Sequence, residues 1–143
     1  MRKKATVFAS ISGCIAVIMG ALGAHGLSHQ VEIGKISTES LHAFETAAHY
    51  QLLHSIAIIA IVALQYKFAM YFKPIIYLMM SGIILFCGSI YLLVLCDWLK
   101  SDFKNIIGPI TPLGGLCFIV AWFALFLSAL KYKDKDIPPT NPQ

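Results

Sequence analysis

The sequence predicts an all-α integral membrane protein, folded as an antiparallel four-helix transmembrane bundle with both termini in the cytoplasm. Two observations lead to this class. The chain of 143 residues is 58% hydrophobic and only 13% charged, whereas soluble domains carry about 25% charged residues. Its mean hydropathy is +0.75, and its apolar residues fall into four long stretches.

The same composition excludes other classes of protein. A soluble enzyme of this size needs more polar residues to cover its surface, and a disordered chain combines low hydrophobicity with high charge. The net charge of +4 comes from 11 basic and 7 acidic residues. Because these basic residues do not form one patch, we expect no nucleic-acid partner.

Four stretches are long and apolar enough to cross a bilayer as helices, which takes about 20 residues. The predicted spans cover residues 5–27, 41–65, 74–96 and 106–130. They form one transmembrane domain over residues 1–130, and the short connections after spans two and three favour antiparallel neighbours. The polar tail, residues 131–143, is predicted to be disordered and cytoplasmic.

The basic residues predict the orientation, because connections rich in Lys and Arg stay on the cytoplasmic side. Eight of them lie at the two termini and between spans two and three. The other three, Lys35, Lys100 and Lys104, lie in the remaining connections. Both termini are therefore expected in the cytoplasm.

The first span contains no Asp, Glu, Lys or Arg. It has the basic start of a signal peptide and small residues at Ala21-Leu22-Gly23, but its apolar stretch exceeds the about 7–15 residues typical of one. We therefore expect it to be retained. Small residues at four-residue spacing favour close packing, either within the chain or between two copies. They are Ser12, Ala16, Gly20 and Ala24, and Gly13, Gly23 and Gly26 add further small surface for packing.

The second span carries most of the ionisable residues, which are costly in a bilayer and so mark candidate functional positions. With about 100° of rotation per residue, they fall on two faces of a helix. One face holds His42, Glu45, Thr46 and His49, and the other holds Tyr50, Gln51 and His54.

Glu45 and His49 are four residues apart and could share a metal ion, since carboxylate and imidazole ligate zinc, iron and copper. However, the pattern His-x-x-Glu-x-x-x-His is neither the His-Glu-x-x-His of zinc hydrolases nor the Glu-x-x-His of di-iron bundles. We predict no cofactor, with Glu45 and His49 as weak candidates for metal ligands.

Spans three and four add polar and small residues near the outer surface. Gly88, Ser89 and Tyr91 lie in the outer half of span three. Span four opens with residues 108–115 (GPITPLGG), where proline removes a helical hydrogen bond and glycine loosens the turn. The sequence predicts a broken start that includes Pro112, with regular helix only from about Leu113.

These polar residues predict one cluster in the outer half of the bundle, with His25, Gln51 and His54 within reach of Tyr91 or Thr111. The full set is His25, Tyr50, Gln51, His54, Ser89, Tyr91 and Thr111. One interpretation is a hydrogen-bonded network that joins the spans, because buried polar groups need partners. The other is part of a transport path, although a path needs polar lining across the whole membrane.

Four segments of the chain together resemble a known family. They are residues 20–27 (GALGAHGL), Tyr50-Gln51 with His54, residues 85–91 (LFCGSIY), and residues 110–115 (ITPLGG) with Trp122. On these segments the chain resembles the YgdD/YwdK-like family of small inner-membrane proteins of unknown function, which has eukaryotic transmembrane relatives. The resemblance implies a multi-pass protein of the bacterial inner membrane.

The family pattern, as the resemblance implies it, excludes Glu45 and His49, which weakens the metal interpretation. It carries over to His25, Tyr50, Gln51, His54, Gly88, Ser89, Tyr91, Thr111, Pro112, Gly114 and Gly115. The family brings no established reaction, substrate or cofactor.

The chain contains no recognisable catalytic motif, so we predict a non-enzymatic accessory, assembly or structural component of the membrane. Two alternatives stay open. One is a small oligomeric transporter or channel, and the other is a metal- or haem-binding redox protein. The expected partners are the lipid bilayer and either another membrane protein or further copies of the chain.

Overall fold

The computed structural model describes residues 2–67 and 72–131, and within them every regular element is a helix. The helices are α1 (Arg2–Glu32), α2 (Thr38–Lys67), α3 (Lys73–Trp98), the single turn α4 (Lys104–Ile107) and α5 (Ile110–Lys131). Four helical stretches are long and apolar enough to span a membrane. The predicted all-α class with four such helices is confirmed. The predicted tail, except Lys131, lies outside the described residues.

Neighbouring long helices run antiparallel, because the start of one helix contacts the end of the next. Arg2, at the start of α1, bonds to Gln65 near the end of α2. Ser40, near the start of α2, bonds to Asp97 at the end of α3. We call the end of the bundle that carries Arg2 and Lys73 the basic end, and the end that carries Asp97 the loop end.

The hydrophobic core is centred on α2 and α3. Helix α1 packs mainly against α2, and α5 packs mainly against α3. Towards the basic end, the core includes Ile58, Met79 and Ala121, which have no exposed surface. Towards the loop end it is formed by a second cluster around Phe44 and Ile90. Many other apolar side chains point outward, as expected for helices that face lipid.

Helices α1 and α3 each contain a π-helical segment, which holds an extra residue in its turn. The segments are Leu22–Leu27 and Ile83–Cys87. Wider turns of this kind have weaker backbone geometry and are often found at functional positions. Just after each segment, a serine hydroxyl donates to a carbonyl inside it, at 2.9 Å for Ser28 and 3.0 Å for Ser89. These hydroxyls supplement the hydrogen bonds of the two wider turns.

The buried small residues of α1 are spaced by four, three and seven residues, not by a constant four; they are Ala5, Ala9, Ser12, Ala16 and Gly23. Of the predicted row, Ser12 and Ala16 are buried, Gly20 is partly buried and Ala24 is exposed. Four residues advance a helix about 40° beyond one full turn, so a four-residue row drifts off its face, while seven residues stay within about 20° of two turns. A Cβ atom at Gly23 would lie 3.3 Å from the ring of Phe44 in α2.

Helices α3 and α5 make their closest approach at two glycines. A Cβ atom at Gly114 would overlap the backbone nitrogen of Phe86, and one at Gly82 would lie 2.6 Å from the ring of Phe118. Neither position has room for a larger residue. Small residues therefore allow the two backbones to pack closely, as is usual between helices in lipid.

Helix α5 begins at Ile110, three residues before the start that the sequence predicted. Gly108 and Pro109 form the turn that separates it from α4. Pro112 lies in the first turn of α5, where the backbone N–H groups have no partner inside the helix, so its missing N–H breaks no helical bond. The break is real, but it is shorter than predicted.

Candidate functional site

A buried hydrogen-bond network joins α1, α2 and α3. Gln51 is 5% exposed, and its side-chain Nε2 donates to the Ser12 carbonyl at 3.0 Å and to Ser12 Oγ at 3.3 Å. Its Oε1 accepts a hydrogen bond from the Tyr91 hydroxyl at 2.8 Å. The amide therefore finds partners for both N–H groups and for its oxygen within the chain, as a polar group in lipid requires.

Ser55 completes this network. Its Oγ lies 2.7 Å from the Gln51 carbonyl and 2.9 Å from Ser12 Oγ. A hydroxyl has one proton, and a carbonyl can only accept. Ser55 therefore donates to the Gln51 carbonyl and accepts from the Ser12 hydroxyl. We call Ser12, Gln51, Ser55 and Tyr91 the Gln51 network.

A second polar contact joins α3 to α5. Ser89 is 3% exposed, and its Oγ lies 2.7 Å from Thr111 Oγ1. Because Ser89 already donates its proton to the Phe86 carbonyl, Thr111 is the donor in this contact. The pair ties the first turn of α5 to α3 close to the π-helical segment.

A third polar contact joins α2 to α5 through His54. Its Nδ1 lies 2.7 Å from the Tyr50 carbonyl, and its Nε2 lies 3.2 Å from Trp122 Nε1. The carbonyl can only accept and the indole N–H can only donate. These partners assign the neutral tautomer with its proton on Nδ1.

Aromatic rings surround His54. Its ring stacks on Phe118 with a centroid distance of 3.6 Å and an interplanar angle of 22°. Tyr50 lies 5.7 Å away in a stacked arrangement, and Trp122 meets the imidazole edge-on at 6.2 Å. His54 as a whole is only 6% exposed.

A groove of about 1010 Å³ lies beside this aromatic group, between α2 and α5. Its lining is almost entirely apolar and includes Leu53, Phe86, Gly115 and Phe123. His54 and Trp122 are part of the same lining, but their polar nitrogens are bonded to each other. The groove therefore presents aromatic and aliphatic surface.

The structure brings together six of the seven predicted polar residues, but in three groups instead of one cluster. The groups are Gln51 with Tyr91, Ser89 with Thr111, and Tyr50 with His54. His54 reaches Trp122, not Tyr91 or Thr111.

His25 departs from the predicted cluster. It is exposed, and no described residue bonds to its side chain. It follows Gly23, which packs on α2, by two residues. In this π-helical segment two residues make up about half a turn, so His25 points away from the other polar residues.

The two polar faces of α2 have different surroundings. Gln51 and His54 are buried, whereas His42 and His49 are exposed. Glu45 lies 3.6 Å from His42, so it pairs within its own helix. Within residues 2–67 and 72–131, no three His, Cys, Asp or Glu side chains are grouped as metal ligands would be.

The glycines predicted to pack between helices differ in how closely a neighbouring helix approaches them. Gly23 and Gly114 face close neighbours, as described above. A Cβ atom at Gly115 would lie 3.7 Å from the Phe86 ring, an ordinary contact. At Gly20 and Gly88 no neighbouring heavy atom would lie within 4 Å. Close approach is therefore a property of particular glycines and not of the whole set.

Sequence reasoning missed one polar centre at the loop end. Asp97 accepts hydrogen bonds from the Ser37 N–H at 3.3 Å, from Ser40 Oγ at 2.8 Å and from Lys104 Nζ. It thereby ties the connection after α1 to the ends of α3 and α4. The sequence did offer a signal for this centre: Asp97 directly follows an apolar span, and Lys104 lies seven residues further on.

Four long apolar helices, with buried polar side chains bonded to one another between them, define a multi-pass integral membrane protein. Residues 19–115 match a family described as protein of unknown function (DUF423). The chain belongs to this family.

Individual relatives agree with this assignment. The UPF0382 membrane protein YwdK of Bacillus subtilis is 34% identical over 128 residues, which are 88% of this chain and 95% of YwdK. The UPF0382 inner membrane protein YgdD of Escherichia coli is 34% identical over 135 residues, 92% of each chain. A UPF0382 membrane protein of Haemophilus influenzae is 32% identical over 134 residues, 94% of this chain and 99% of the relative.

The resemblance to YgdD and YwdK is thereby confirmed, and the chain is a multi-pass protein of the inner membrane. No solved structure matches it.

Proposed function

We propose that the protein is a non-catalytic component of the inner membrane that acts as an accessory or assembly subunit of another membrane protein. The Gln51 network carries this proposal. Its polar atoms bond to one another across α1, α2 and α3, so its polar residues hold the helices together. The same is true of the Ser89–Thr111 and His54–Trp122 pairs.

Helix α5 supplies the surface that a partner would contact. Its outward side chains are large and apolar, and they run along its whole length. They include Leu116, Ile119, Phe123, Phe126 and Leu130. Only Gly114, Phe118 and Ala121 of this helix are buried in the bundle. A partner helix packed on this face would bury aromatic and aliphatic side chains in a lipid environment.

The experiment is extraction of the tagged full-length protein from its own membrane in mild detergent, followed by mass spectrometry. The proposal predicts one membrane protein at fixed stoichiometry. A double variant, Ile119→Ala with Phe123→Ala, should lose this partner. The matched control, Val17→Ala with Ile18→Ala, changes two outward residues of α1 and should retain it. A protein that transports a solute or turns over a substrate by itself would contradict the proposal.

We also propose that both termini lie in the cytoplasm, which the distribution of basic residues favours. A cysteine introduced at Lys3 should be protected from a membrane-impermeant maleimide in intact spheroplasts, and one at Lys35 should be labelled. Cys14, which is exposed from the protein, is first replaced by serine in both variants. The reverse labelling pattern would show the opposite orientation.

A second candidate is a small oligomeric transporter, favoured by the π-helical segment of α3 beside the Gln51 network. Ile83, Cys87 and Gln51 line the same small groove of about 310 Å³, and π-helical turns are frequent at functional positions. Liposome flux that is lost in Gln51→Leu and retained in Thr46→Val, a change on the exposed face of α2, would support transport. Equal flux in both variants would argue against it.

A further inference from the structure

The two ends of the bundle differ in charge. Every acidic residue in the described part of the chain lies in the half towards the loop end: Glu32, Glu39, Glu45, Asp97 and Asp102. The basic end carries positive side chains on α1, α3 and α5: Arg2, Lys3, Lys4, Lys73 and Lys131. A surface with this charge attracts anions that lie at the level of the lipid headgroups.

Three helix ends meet at the basic end. Ala5 of α1, Ile61 of α2 and Phe72 before α3 belong to one buried cluster. Arg2 Nη2 donates to the Gln65 carbonyl at 3.4 Å. The guanidinium is therefore held over the end of α2.

Gln65 is the unusual residue of this region. It is 8% exposed, and no hydrogen bond joins its side-chain amide to any residue that the structure describes. Gln51, at a similar burial, has partners for the whole of its amide. A buried amide without a partner is unfavourable, so a ligand that reaches Gln65 would satisfy it.

The start of α3 adds a further feature that favours an anion. Phe72 precedes the helix and provides no side-chain cap, and the first turn contains no acidic residue. A helix start carries partial positive charge, and its first N–H groups point towards whatever lies beyond it. Arg2, Gln65 and the start of α3 thus combine a cation, an amide donor and a positive helix end.

We infer that the basic end binds the phosphate group of an anionic phospholipid, with Arg2 and Gln65 as the polar contacts. Arginine binds phosphate through paired N–H donors, and the Gln65 amide supplies another donor. A lipid fits better than free phosphate because the apolar surface of the spans begins directly beside these residues, at Ala5 and Ile61. The inference does not depend on the accessory role proposed above.

The test uses the purified full-length protein in dodecyl maltoside, titrated separately with phosphatidylglycerol, phosphatidylcholine and inorganic phosphate. The readouts are the melting temperature and the lipid retained in native mass spectrometry. Phosphatidylglycerol should raise the melting temperature and be retained at fixed stoichiometry. Phosphatidylcholine and inorganic phosphate should have neither effect at the same concentration.

The variants distinguish lipid binding at a defined site from attraction by the net charge of the protein. Arg2→Gln should weaken binding of phosphatidylglycerol about five-fold, the effect expected for one basic residue near a headgroup. Gln65→Leu, which leaves the net charge unchanged, should weaken it as well. Lys35→Gln removes one exposed positive charge at the loop end and should leave it unchanged.

Three outcomes would overturn the inference. Equal effects of the two lipids would show that no anionic headgroup is recognised. An equal effect of inorganic phosphate would assign the site to a free anion. Equal losses in Arg2→Gln and Lys35→Gln would show attraction by net charge alone. Arg2 is exposed, so its variant keeps the test valid even if Gln65→Leu fails to fold.

Discussion

Trp122 Nε1 donates a hydrogen bond to His54 Nε2 across 3.2 Å. Among the described residues it is the only hydrogen bond between α2 and α5. The large groove lies between residues 50–57 of α2 and residues 115–123 of α5, and His54 stacks on Phe118 beside it. His54 is therefore the residue through which α2 makes both a hydrogen bond and a ring stack to α5.

We expect His54→Leu to lower the free energy of unfolding by about 1–2 kcal/mol, because the Trp122 N–H loses its acceptor inside the membrane. His54→Gln should lose less, since the amide oxygen can still accept from the indole. The measurement is equilibrium unfolding in mixed micelles. The control is His49→Leu, an exposed residue of the same helix. A loss for His49→Leu as large as that for His54→Leu would contradict the assigned contact.

The overall architecture follows from the sequence because the apolar stretches are long and uninterrupted, and lipid leaves the backbone few alternatives to helix. The pairing of Gln51 with Tyr91 was also predictable, since both are polar and lie at similar depth. The partners Ser12 and Ser55 were not predicted, because a serine inside a span gives no sign of the direction in which it points.

The position of His25 shows that similar depth in the membrane is not enough to predict which side chains meet. Its depth matched that of the other polar residues, but its rotation about α1 did not. Rotation depends on where a helix packs, and Gly23 fixes that for α1 through its contact with Phe44. Similarly, nothing in the sequence indicates that Trp122 would supply the donor for His54.

The Gln51–Tyr91 hydrogen bond should be measurable as an energetic coupling. Gln51→Leu and Tyr91→Phe each remove one partner of the 2.8 Å contact, and the double variant removes both. We expect the double variant to be more stable than the sum of the single losses predicts, with a coupling of about 0.6–2 kcal/mol. The measurement is a double-mutant cycle by unfolding in mixed micelles.

Tyr77→Phe serves as the control for this cycle, because Tyr77 lies on α3 and is 57% exposed. It should couple to Gln51→Leu by less than the error of the measurement. A coupling of zero between Gln51 and Tyr91 would show that their contact contributes nothing to stability.

Gly114→Ala should destabilise the packing of α5 on α3. Its new methyl group would overlap the Phe86 backbone, and overpacking of this kind costs about 1–3 kcal/mol. Gly88→Ala makes the same chemical change where no neighbouring heavy atom lies within 4 Å, so it should be neutral or slightly stabilising. Comparison of their melting temperatures in one detergent tests the close approach. Equal melting temperatures would contradict it.

Asp97→Asn should loosen the loop end without unfolding the spans. The substitution removes the charge that Lys104 contacts and weakens the bonds from Ser37 and Ser40. We expect amide hydrogen exchange in residues 33–37 and 99–104 to accelerate about two- to five-fold, which corresponds to about 0.4–1 kcal/mol. Asp102→Asn is the matched control, because that exposed carboxylate makes no hydrogen bond or ion pair with any described residue. Equal acceleration in both variants would show that Asp97 does not hold the connections together.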